Sequence, residues 1–387
     1  MSPKGILDQY RLTGFPFDLG RYDVKRVGRE SEWQRLIDMA SMVRESRSPV
    51  IGVLLGTYGA GKSFMLWQLA KTLDPASKTK VLASGPIRLV DPEQKRDFTK
   101  SLVLRFFTRG IDIESQLVPV LKSARLALQQ LPVTVRPYVS LLLALTKKEE
   151  AVVARRILSG GRALRKESEE AGFPEVVQIR TSDDAIALLQ ALQIVVKSAG
   201  VDAVAMLVDE VEYIELLAKG PKSAVLDSLK HLWDQEVDFF SRGNDAAQLL
   251  LLLSATPDFW HKQTVQLLSE GPRGDSSVGM TPFFSRISKS AIIEMPAELA
   301  ADEARLLIVS RMSEKRATHA RDGIIPFTDD YVTYVYELSQ GLPRRIIEIC
   351  GVVIEGAAER QLKSIDRAAA KKILREMLIS YERVAKK

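Results

Sequence analysis

The sequence has few residues of the kinds that bind metals or form disulfides. Its 387 residues include one cysteine, Cys350, and three widely separated histidines, His231, His261 and His319. A single cysteine cannot form an intramolecular disulfide, and neither residue type recurs at the spacing of a zinc site. The sequence therefore argues against a disulfide-stabilised fold and against a zinc enzyme.

Long apolar runs are also missing. No apolar run reaches the roughly 18 residues that a membrane span needs, and the first residues, MSPKGILDQYRL, lack the apolar segment of a secretory signal. Hydrophobic residues nevertheless make up 46% of the chain, enough for a packed core. We expect a cytoplasmic protein without a membrane partner, with one large domain and a smaller one.

The charge balance is mildly basic. Lysine and arginine number 55 against 49 acidic residues, which gives a formal net charge of +6. Such a balance permits a nucleic-acid partner, but solvated surface charge accounts for it equally well.

One glycine-rich segment carries the clearest chemistry. Residues 56–63, GTYGAGKS, match the pattern G-x-x-x-x-G-K-[ST] and follow the apolar run PVIGVLL. Residues 64–73 then show apolar residues at helical spacing. Strand, loop and helix in this order are the context that a phosphate-binding loop requires. Glycines let the backbone approach phosphates closely, and the helix N-terminus adds partial positive charge.

The segment therefore predicts a site for ATP and Mg²⁺. Lys62 can reach the β- and γ-phosphates, and the hydroxyl of Ser63 can bind the magnesium ion. The predicted nucleotide-binding residues are Gly56, Tyr58, Gly59, Ala60, Gly61, Lys62, Ser63 and Phe64.

A P-loop also needs a carboxylate on a neighbouring strand. The apolar run at residues 204–208 ends in Asp209 and Glu210. We expect Asp209 to bind the metal and Glu210 to polarise the attacking water, so the chain is predicted to be an ATPase. Glu212 is a further candidate for the site. The alternative is an acidic strand end that faces solvent.

A second leucine-rich run, residues 249–253, precedes two small polar residues. Either Thr256, the preferred candidate, or Ser254 could sense the γ-phosphate or position the water. The alternative is a helix cap, since Thr256 followed by Pro257 suits the start of a helix.

Arginines near the end of the predicted core and in the region after it are candidates for phosphate contacts. Arg286, in PFFSRI, could reach the γ-phosphate held by a neighbouring subunit, although an ordinary surface arginine explains it equally well. Arg344 and Arg345 follow Pro343 at the start of a helical pattern, and one of them could contact nucleotide phosphate. The alternative is a basic first turn without a ligand, although cations sit poorly at a helix N-terminus.

The order of these motifs resembles that of the AAA+ ATPases. The matching segments are GTYGAGKS, LVDE, LSATP, FFSRI and GLPRR, together with VGRE at residues 27–30, which resembles the segment that packs near adenine. The resemblance implies an α/β fold: a P-loop AAA+ core with a parallel sheet flanked by helices, a helical insertion and a C-terminal helical lid. It also implies a homo-oligomer, with Arg286 as the arginine finger and Arg344 as sensor 2.

Within AAA+, the chain looks most like the initiator and loader branch. That branch includes origin-recognition initiators, transposition ATPases of the TnsC and TniB kind, and ATPases of phage-defence islands. Two departures matter. Sensor 1 is often an asparagine, whereas here only Ser254 and Thr256 are available at that position, and the residues after 360 read as one helix rather than a winged-helix domain. A DNA-binding role is therefore not carried over from that domain.

The predicted organisation has three parts: an N-terminal arm at residues 1–26, the ATPase core at 27–300, and the helical lid with a C-terminal helix at 301–387. An insertion at about residues 112–180 has a helical pattern, with Leu117, Val120, Leu121, Ala124 and Leu128 on one face. Its basic residues are Lys147, Lys148, Arg155, Arg156, Arg162, Arg165 and Lys166. They either contact DNA phosphates or form ion pairs with nearby glutamates. The composition of residues 270–280 predicts a flexible loop.

The function predicted first is an ATPase that assembles into oligomers, on double-stranded DNA, to load or regulate an unidentified protein partner in replication, transposition or defence. The alternative is a nucleotide-switched signalling or defence ATPase that acts through protein partners without binding DNA. A protein-remodelling motor is a third possibility, but the sequence lacks a clear aromatic pore motif.

Overall fold

The computed structural model describes residues 9–20, 22–46, 48–90, 97–163, 166–167, 177–269, 281–284, 286–316 and 323–385. The chain divides into two compact units. The sheet unit comprises Ser31–Leu55 and Lys62–Glu294. The helical unit comprises Met1–Glu30, Gly56–Gly61 and Met295–Lys387.

A parallel sheet forms the centre of the sheet unit. Its strands are β1 (Val50–Leu55), β2 (Val81–Ala83), β3 (Ile87–Arg88), β4 (Ala203–Asp209), β5 (Gln248–Ala255) and β6 (Ile292–Glu294). All pair in parallel in the order β2–β4–β5–β1–β6, and β3 also pairs with β4. Every residue of β4 is buried, as expected for a strand covered on both faces. The predicted α/β fold, a parallel sheet flanked by helices, is confirmed.

The sheet order brings the ends of three strands together. β5 lies between β1 and β4, with Leu54 opposite Ser254 and Val208 opposite Leu253. In a parallel sheet the carboxyl ends of neighbouring strands share one edge. The polar residues at the ends of β4 and β5 therefore lie side by side.

Helices make up most of the rest of the sheet unit. In the described residues they are α1 (Glu30–Glu45), α2 (Lys62–Thr72), α3 (Phe98–Arg105), α4 (Val118–Ser123), α5 (Arg136–Ala144), α6 (Glu150–Leu158), α7 (Ser182–Ser198), α8 (Lys219–Ser241), α9 (Pro257–Ser269) and α10 (Thr281–Phe284). π-Helical turns span Phe106–Gly110 and Ile113–Leu117, and 3₁₀ turns span Leu128–Gln130, Val211–Leu216 and Lys289–Ala291. Thr181 and Asp184 form a capping box that fixes the start of α7.

The region of the predicted insertion is helical but more broken than the apolar spacing suggested. Pro119 lies in the first turn of α4, where a proline is tolerated. The helix predicted to continue through Leu128 ends at Ser123, because Ala124 adopts an extended backbone with φ −62° and ψ 138°. Leu128 is exposed, so the apolar spacing does not mark a continuous buried face there. Arg165 and the predicted loop at residues 270–280 lie outside the described residues.

The helical unit consists of α11 (Ala301–Ser313), α12 (Asp329–Ser339), α13 (Pro343–Glu359) and α14 (Arg367–Ala385), with the described part of the N-terminal arm. The arm joins its core: the Tyr10 hydroxyl donates to the Leu362 carbonyl at 2.9 Å, and the rings of Phe17 and Phe327 lie 5.9 Å apart. Cys350 is fully buried there, and burial raises the pKa of its thiol to about 12. The thiol is therefore a packing group.

None of the helices in the described part of the chain combines the length and the apolarity that crossing a bilayer requires.

Candidate functional site

The glycine loop, Gly56–Gly61, follows β1 in the chain and precedes α2. Gly59 and Gly61 have φ values of +81° and +98°, in the left-handed region that favours glycine. The backbone N–H of Ala60, which is fully buried, donates to the carbonyl of Thr57 at 3.1 Å. The glycines of the motif thus permit a tight turn that other residues would strain.

Arg29 holds this loop from within the helical unit. Its guanidinium donates to the carbonyl of Ala60 and, at 3.0 Å, to that of Pro296. Its backbone N–H donates to a carboxylate oxygen of Glu303 at 3.2 Å. Gly28 has a φ of +70°, and a Cβ there would come within 2.4 Å of Glu303. The segment VGRE therefore fixes the loop through a buried arginine.

Arg344 contacts the same loop from the first turn of α13. Its backbone N–H donates to the Gly59 carbonyl at 3.4 Å, and its Nη1 donates to the Tyr58 hydroxyl at 2.7 Å. Its guanidinium also lies 4.7 Å from the centroid of the Tyr58 ring. Nε donates to Glu348 at 2.9 Å, and this bond raises the pKa of Arg344. Of the two predicted arginines, Arg344 is the one that contacts the loop, while Arg345 is exposed.

In the sheet unit, the end of β4 presents an organised carboxylate. The hydroxyl of Ser254, which is fully buried, donates to Oδ1 of Asp209. The backbone N–H of Glu210 donates to the same oxygen at 3.0 Å. Glu210 has a φ of +56°, a left-handed conformation that is unusual for a glutamate. These contacts hold Asp209 in one orientation.

Lys62 lies among the acids that follow β4. Its Nζ is 3.9 Å from Oε1 of Glu212. Burial lowers the pKa of Lys62, and the negative charges of Glu212, Asp209 and Glu210 partly oppose that shift. Burial likewise raises the pKa of Glu212. Nε of Arg88, at the end of β3, lies 2.6 Å from Oε2 of Glu210.

Lys62 and the acids at and after the end of β4 have the chemistry that a magnesium–nucleotide complex requires. The described residues contain no group of three or more histidine, cysteine or carboxylate side chains placed to hold a metal by themselves. Mg²⁺ is usually bound through one or two carboxylates, phosphate oxygens and water. Asp209 offers one such carboxylate, and buried Oε2 of Glu212 has no hydrogen-bond partner in the described part of the chain. Ser63 and Phe64 lie half-buried in the first turn of α2.

The structure separates the two candidates for sensor 1. Thr256 lies beyond the end of β5, and its hydroxyl oxygen accepts the Phe259 backbone N–H at 3.4 Å, as the cap of α9. Ser254 is the residue that contacts Asp209. The sensor assignment itself stays a prediction.

Arg286 is engaged within its own chain. Its Nη2 lies 2.9 Å from Oδ1 of Asp234 on α8. The arginine-finger role stays a prediction, and it would require this ion pair to be exchanged for another anion.

Three basic residues of the predicted insertion also form ion pairs. Lys147 pairs with Glu150 at 2.9 Å, Arg155 pairs with Glu114, and Arg156 pairs with Glu167 at 2.8 Å. Lys148 and Arg162 are exposed. Much of the positive charge counted in the sequence is therefore matched locally.

Sequence reasoning missed two contributors to these arrangements. Arg88 and the contact of Arg29 with Ala60 were not foreseen, because each depends on segments far apart in the chain. The segment VGRE was the one available signal for Arg29.

No protein-family model matches the sequence, and no curated protein matches it either. Solved structures do show similarity. One is the Drosophila ORC bound to DNA, at 12% identity, covering 97% of this chain and 67% of that one, with a TM-score of 0.47. Another is the Aeropyrum pernix ORC1 protein in complex with DNA, at 14% identity, covering 94% and 69%, with a TM-score of 0.48. At these values the likeness assigns neither activity nor partner.

Proposed function

We propose that the chain is an AAA+ protein that binds and hydrolyses ATP and assembles into oligomers on double-stranded DNA. The observation that carries the proposal is the group at the end of β4: Asp209 oriented by Ser254, with Lys62 buried among acids at the start of α2. Buried lysine and carboxylates are costly unless a ligand or each other's charge compensates them. A magnesium–nucleotide complex has the charges and oxygen atoms that this group would bind.

Each residue has a distinct task in the proposed reaction. Lys62 supplies positive charge to the β- and γ-phosphates, and Ser63 and Asp209 hold the magnesium ion. When bound, that ion neutralises charge on the phosphate oxygens. Ser254 keeps Asp209 in its orientation. Glu210 accepts the proton of the attacking water.

Equilibrium binding tests the nucleotide part of the proposal. Titration of ATP with Mg²⁺ into the wild type and into Lys62→Ala should show binding that the variant weakens by about tenfold or more, since a charge-assisted phosphate contact contributes about 1.5–3 kcal/mol. Equal affinity in the two proteins would contradict the assignment of the P-loop.

The proposed assembly depends on Arg286. As a finger, Arg286 would leave Asp234 and contact the γ-phosphate of a neighbouring subunit. Arg286→Ala should abolish the rise in turnover with protein concentration while leaving ATP binding intact. Asp234→Asn is the matched control, because it removes the ion pair with Asp234 and keeps the arginine. Full concentration-dependent turnover in Arg286→Ala would exclude a finger role.

The DNA part of the proposal is better supported by α14 than by the insertion. Lys371, Lys372 and Arg375 are exposed on one face of α14, at positions i, i+1 and i+4. In the described part of the chain, none of the three forms an ion pair with an acid. Lys371 lies over the ring of Tyr334, 5.5 Å from its centroid, and Lys372 adds to the effect of Arg360 in lowering the pKa of Glu376. Exposed cations on one face of a helix can contact phosphates, and their affinity falls as salt rises.

Charge reversal at two places tests the DNA contact. Reversing Lys371, Lys372 and Arg375 to glutamate should weaken binding of double-stranded DNA by about tenfold or more and reduce the salt slope by about three. The matched control reverses three paired cations of the insertion, Lys147, Arg155 and Arg156. A larger loss in the control would place the contact on the insertion instead.

The ion pairs of the insertion favour a second function, a nucleotide-switched ATPase that acts through a protein partner without DNA. Because Arg155 and Arg156 are matched by acids, that surface offers less free charge to a polyanion than its sequence suggests. Binding of ATP without any salt-dependent binding of DNA would support this second function.

A further inference from the structure

We propose that Tyr58 is a positioning residue, which orients Arg344 toward the terminal phosphate and so favours ATP over ADP. The inference rests on the proposed function, because it requires that the glycine loop binds a nucleotide. It assigns a role to a loop residue that the phosphate-binding pattern leaves variable.

Tyr58 has little packing of its own to account for its presence. Its side chain is 71% exposed, although large aromatic side chains usually bury most of their surface. The contacts described for it are those with Arg344: a hydrogen bond of 2.7 Å from Nη1 to the hydroxyl, and stacking of the guanidinium at 4.7 Å from the ring centroid. Two contacts of different kinds define both the position and the tilt of the guanidinium.

The contacts of Arg344 with Tyr58 and Glu348 leave one nitrogen of its guanidinium, Nη2, available to bind a ligand. Nε of Arg344 donates to Glu348, and Nη1 donates to Tyr58. Nη2 makes no hydrogen bond or ion pair with any residue that the structure describes. Arginine presents its N–H donors in a planar fork, so fixing two nitrogens also fixes the direction of the third. A phosphate oxygen is the kind of acceptor that such a fork binds.

The backbone ties Arg344 to the loop as well. Its N–H donates to the Gly59 carbonyl at 3.4 Å, and a Cβ on Gly59 would lie 3.1 Å from the Cβ of Arg344. The helix start and the loop are therefore in direct contact at Gly59. Tyr58 extends this approach to the end of the side chain.

Arg29 shows what a purely structural arginine on this loop looks like. It is buried, and its guanidinium donates to backbone carbonyls of Ala60 and Pro296. Arg344 is half-exposed, and its guanidinium donates to two side chains, Tyr58 and Glu348. The exposed arginine can therefore bind a phosphate oxygen through Nη2 while both contacts are kept, whereas the guanidinium of Arg29 donates to backbone carbonyls inside the unit.

Affinities for ATP and for ADP, measured by calorimetry with Mg²⁺, test the inference. Tyr58→Ala should weaken ATP binding by about tenfold, the scale expected when Arg344 no longer makes a charge-assisted hydrogen bond to the terminal phosphate, and should change ADP binding by less than about twofold. Tyr58→Phe keeps the ring and loses the hydroxyl, so its ATP affinity should fall between those of the wild type and Tyr58→Ala. An equal loss for ATP and ADP would overturn the role.

A double variant separates positioning from a direct contact. If Tyr58 acts through Arg344, adding Tyr58→Ala to Arg344→Ala should change ATP affinity by less than about twofold. If instead the double variant loses ATP affinity by the product of the two single-variant losses, Tyr58 acts independently of Arg344, which contradicts the inference.

Tyr334→Ala is the matched control. Tyr334 carries the guanidinium of Arg367 at 5.1 Å from its ring centroid, a similar stack in the same helical unit but on α12 and α14. It should leave the ratio of ATP to ADP affinity unchanged, and an equal drop in that ratio would overturn the inference. A wild type that binds neither ATP nor ADP would overturn the proposed function itself. If the wild type binds both, the proposed function stands, and the variants of Tyr58 then decide whether Tyr58 positions Arg344.

Discussion

Two regions of the sheet unit bury a carboxylate in different ways. At the end of β4, Asp209 is 8% exposed and accepts hydrogen bonds from the Ser254 hydroxyl and the Glu210 backbone. Between α7 and α8, Glu236 is fully buried and accepts an amide N–H of Gln193 at 2.9 Å. Burial raises the pKa of Glu236 to about 7.

The difference lies in the neighbours. The acids after β4 lie near Lys62 and Arg88, whereas the polar neighbours of Glu236 are the uncharged amides of Gln193 and Gln190. A raised pKa in the interior therefore does not by itself mark a catalytic acid. Changes at the first region should alter activity with little effect on stability, and a change at the second should do the opposite.

The largest expected effect is on hydrolysis in Glu210→Gln. Without the base, turnover should fall by about 10²–10³, within the range for general acid–base catalysis. ATP affinity should stay within a few-fold of wild type, since the amide keeps the size of the side chain. Single-turnover hydrolysis and calorimetry measure the two quantities. Wild-type turnover in this variant would exclude Glu210 as the base.

Glu236→Gln should leave activity unchanged and alter the free energy of unfolding, by an amount that depends on pH. Since the folded pKa of about 7 exceeds the ordinary glutamate pKa of 4.5, the folded chain keeps a proton that the unfolded chain loses between these pH values. In the wild type, the contribution of Glu236 to the free energy of unfolding is fully present below pH 4.5. It decreases as the pH rises to about 7. Glutamine carries no charge, so the variant should lack this decline.

The expected gain at pH 8 is about 1–3 kcal/mol in the free energy of unfolding, from about 1.36 kcal/mol per pKa unit. Urea denaturation at pH 5 and pH 8 measures it, with ATP turnover as the control, because none of the hydrogen bonds and ion pairs described for Glu236 involves the acids after β4. A gain of equal size at both pH values would show that the carboxyl does not titrate in this window.

The smallest effects should separate Ser254→Ala from Thr256→Ala. Loss of the Ser254 hydroxyl removes one hydrogen bond from Asp209 and should lower kcat by about tenfold, because hydrogen bonds to charged groups contribute about 1.5–3 kcal/mol. Thr256→Ala removes a helix cap and should cost about 1 kcal/mol of stability, with a smaller effect on kcat. The reverse ranking in kcat would return the sensor role to Thr256.

Local patterns predicted the elements of this region well. Apolar runs that end in polar residues located β4 and β5, and the glycine pattern located the turn between β1 and α2. The sequence pattern could not decide whether Ser254 or Thr256 contacts Asp209. Residues two apart on a strand point to the same face, so the pattern treats them alike. The structure separates them because β5 ends at Ala255.

Contacts between segments that lie far apart in the chain could not be predicted from the sequence either. Arg344 and Tyr58 are 286 residues apart, and Arg155 pairs with Glu114 across 41 residues. A count of basic residues cannot tell a paired cation from a free one. For this reason the insertion looked like a basic surface in sequence, while the structure shows three of its cations in ion pairs.

Steady-state ATP turnover with Mg²⁺ decides whether this chain is a P-loop ATPase. It should be measured with and without double-stranded DNA, at low and moderate salt, with Lys62→Ala as the blank. We expect turnover in the wild type that the variant loses, and stimulation by DNA that fades as salt rises. Turnover that persists in Lys62→Ala, or its absence from the wild type under all these conditions, would contradict the claim that this chain is a P-loop ATPase.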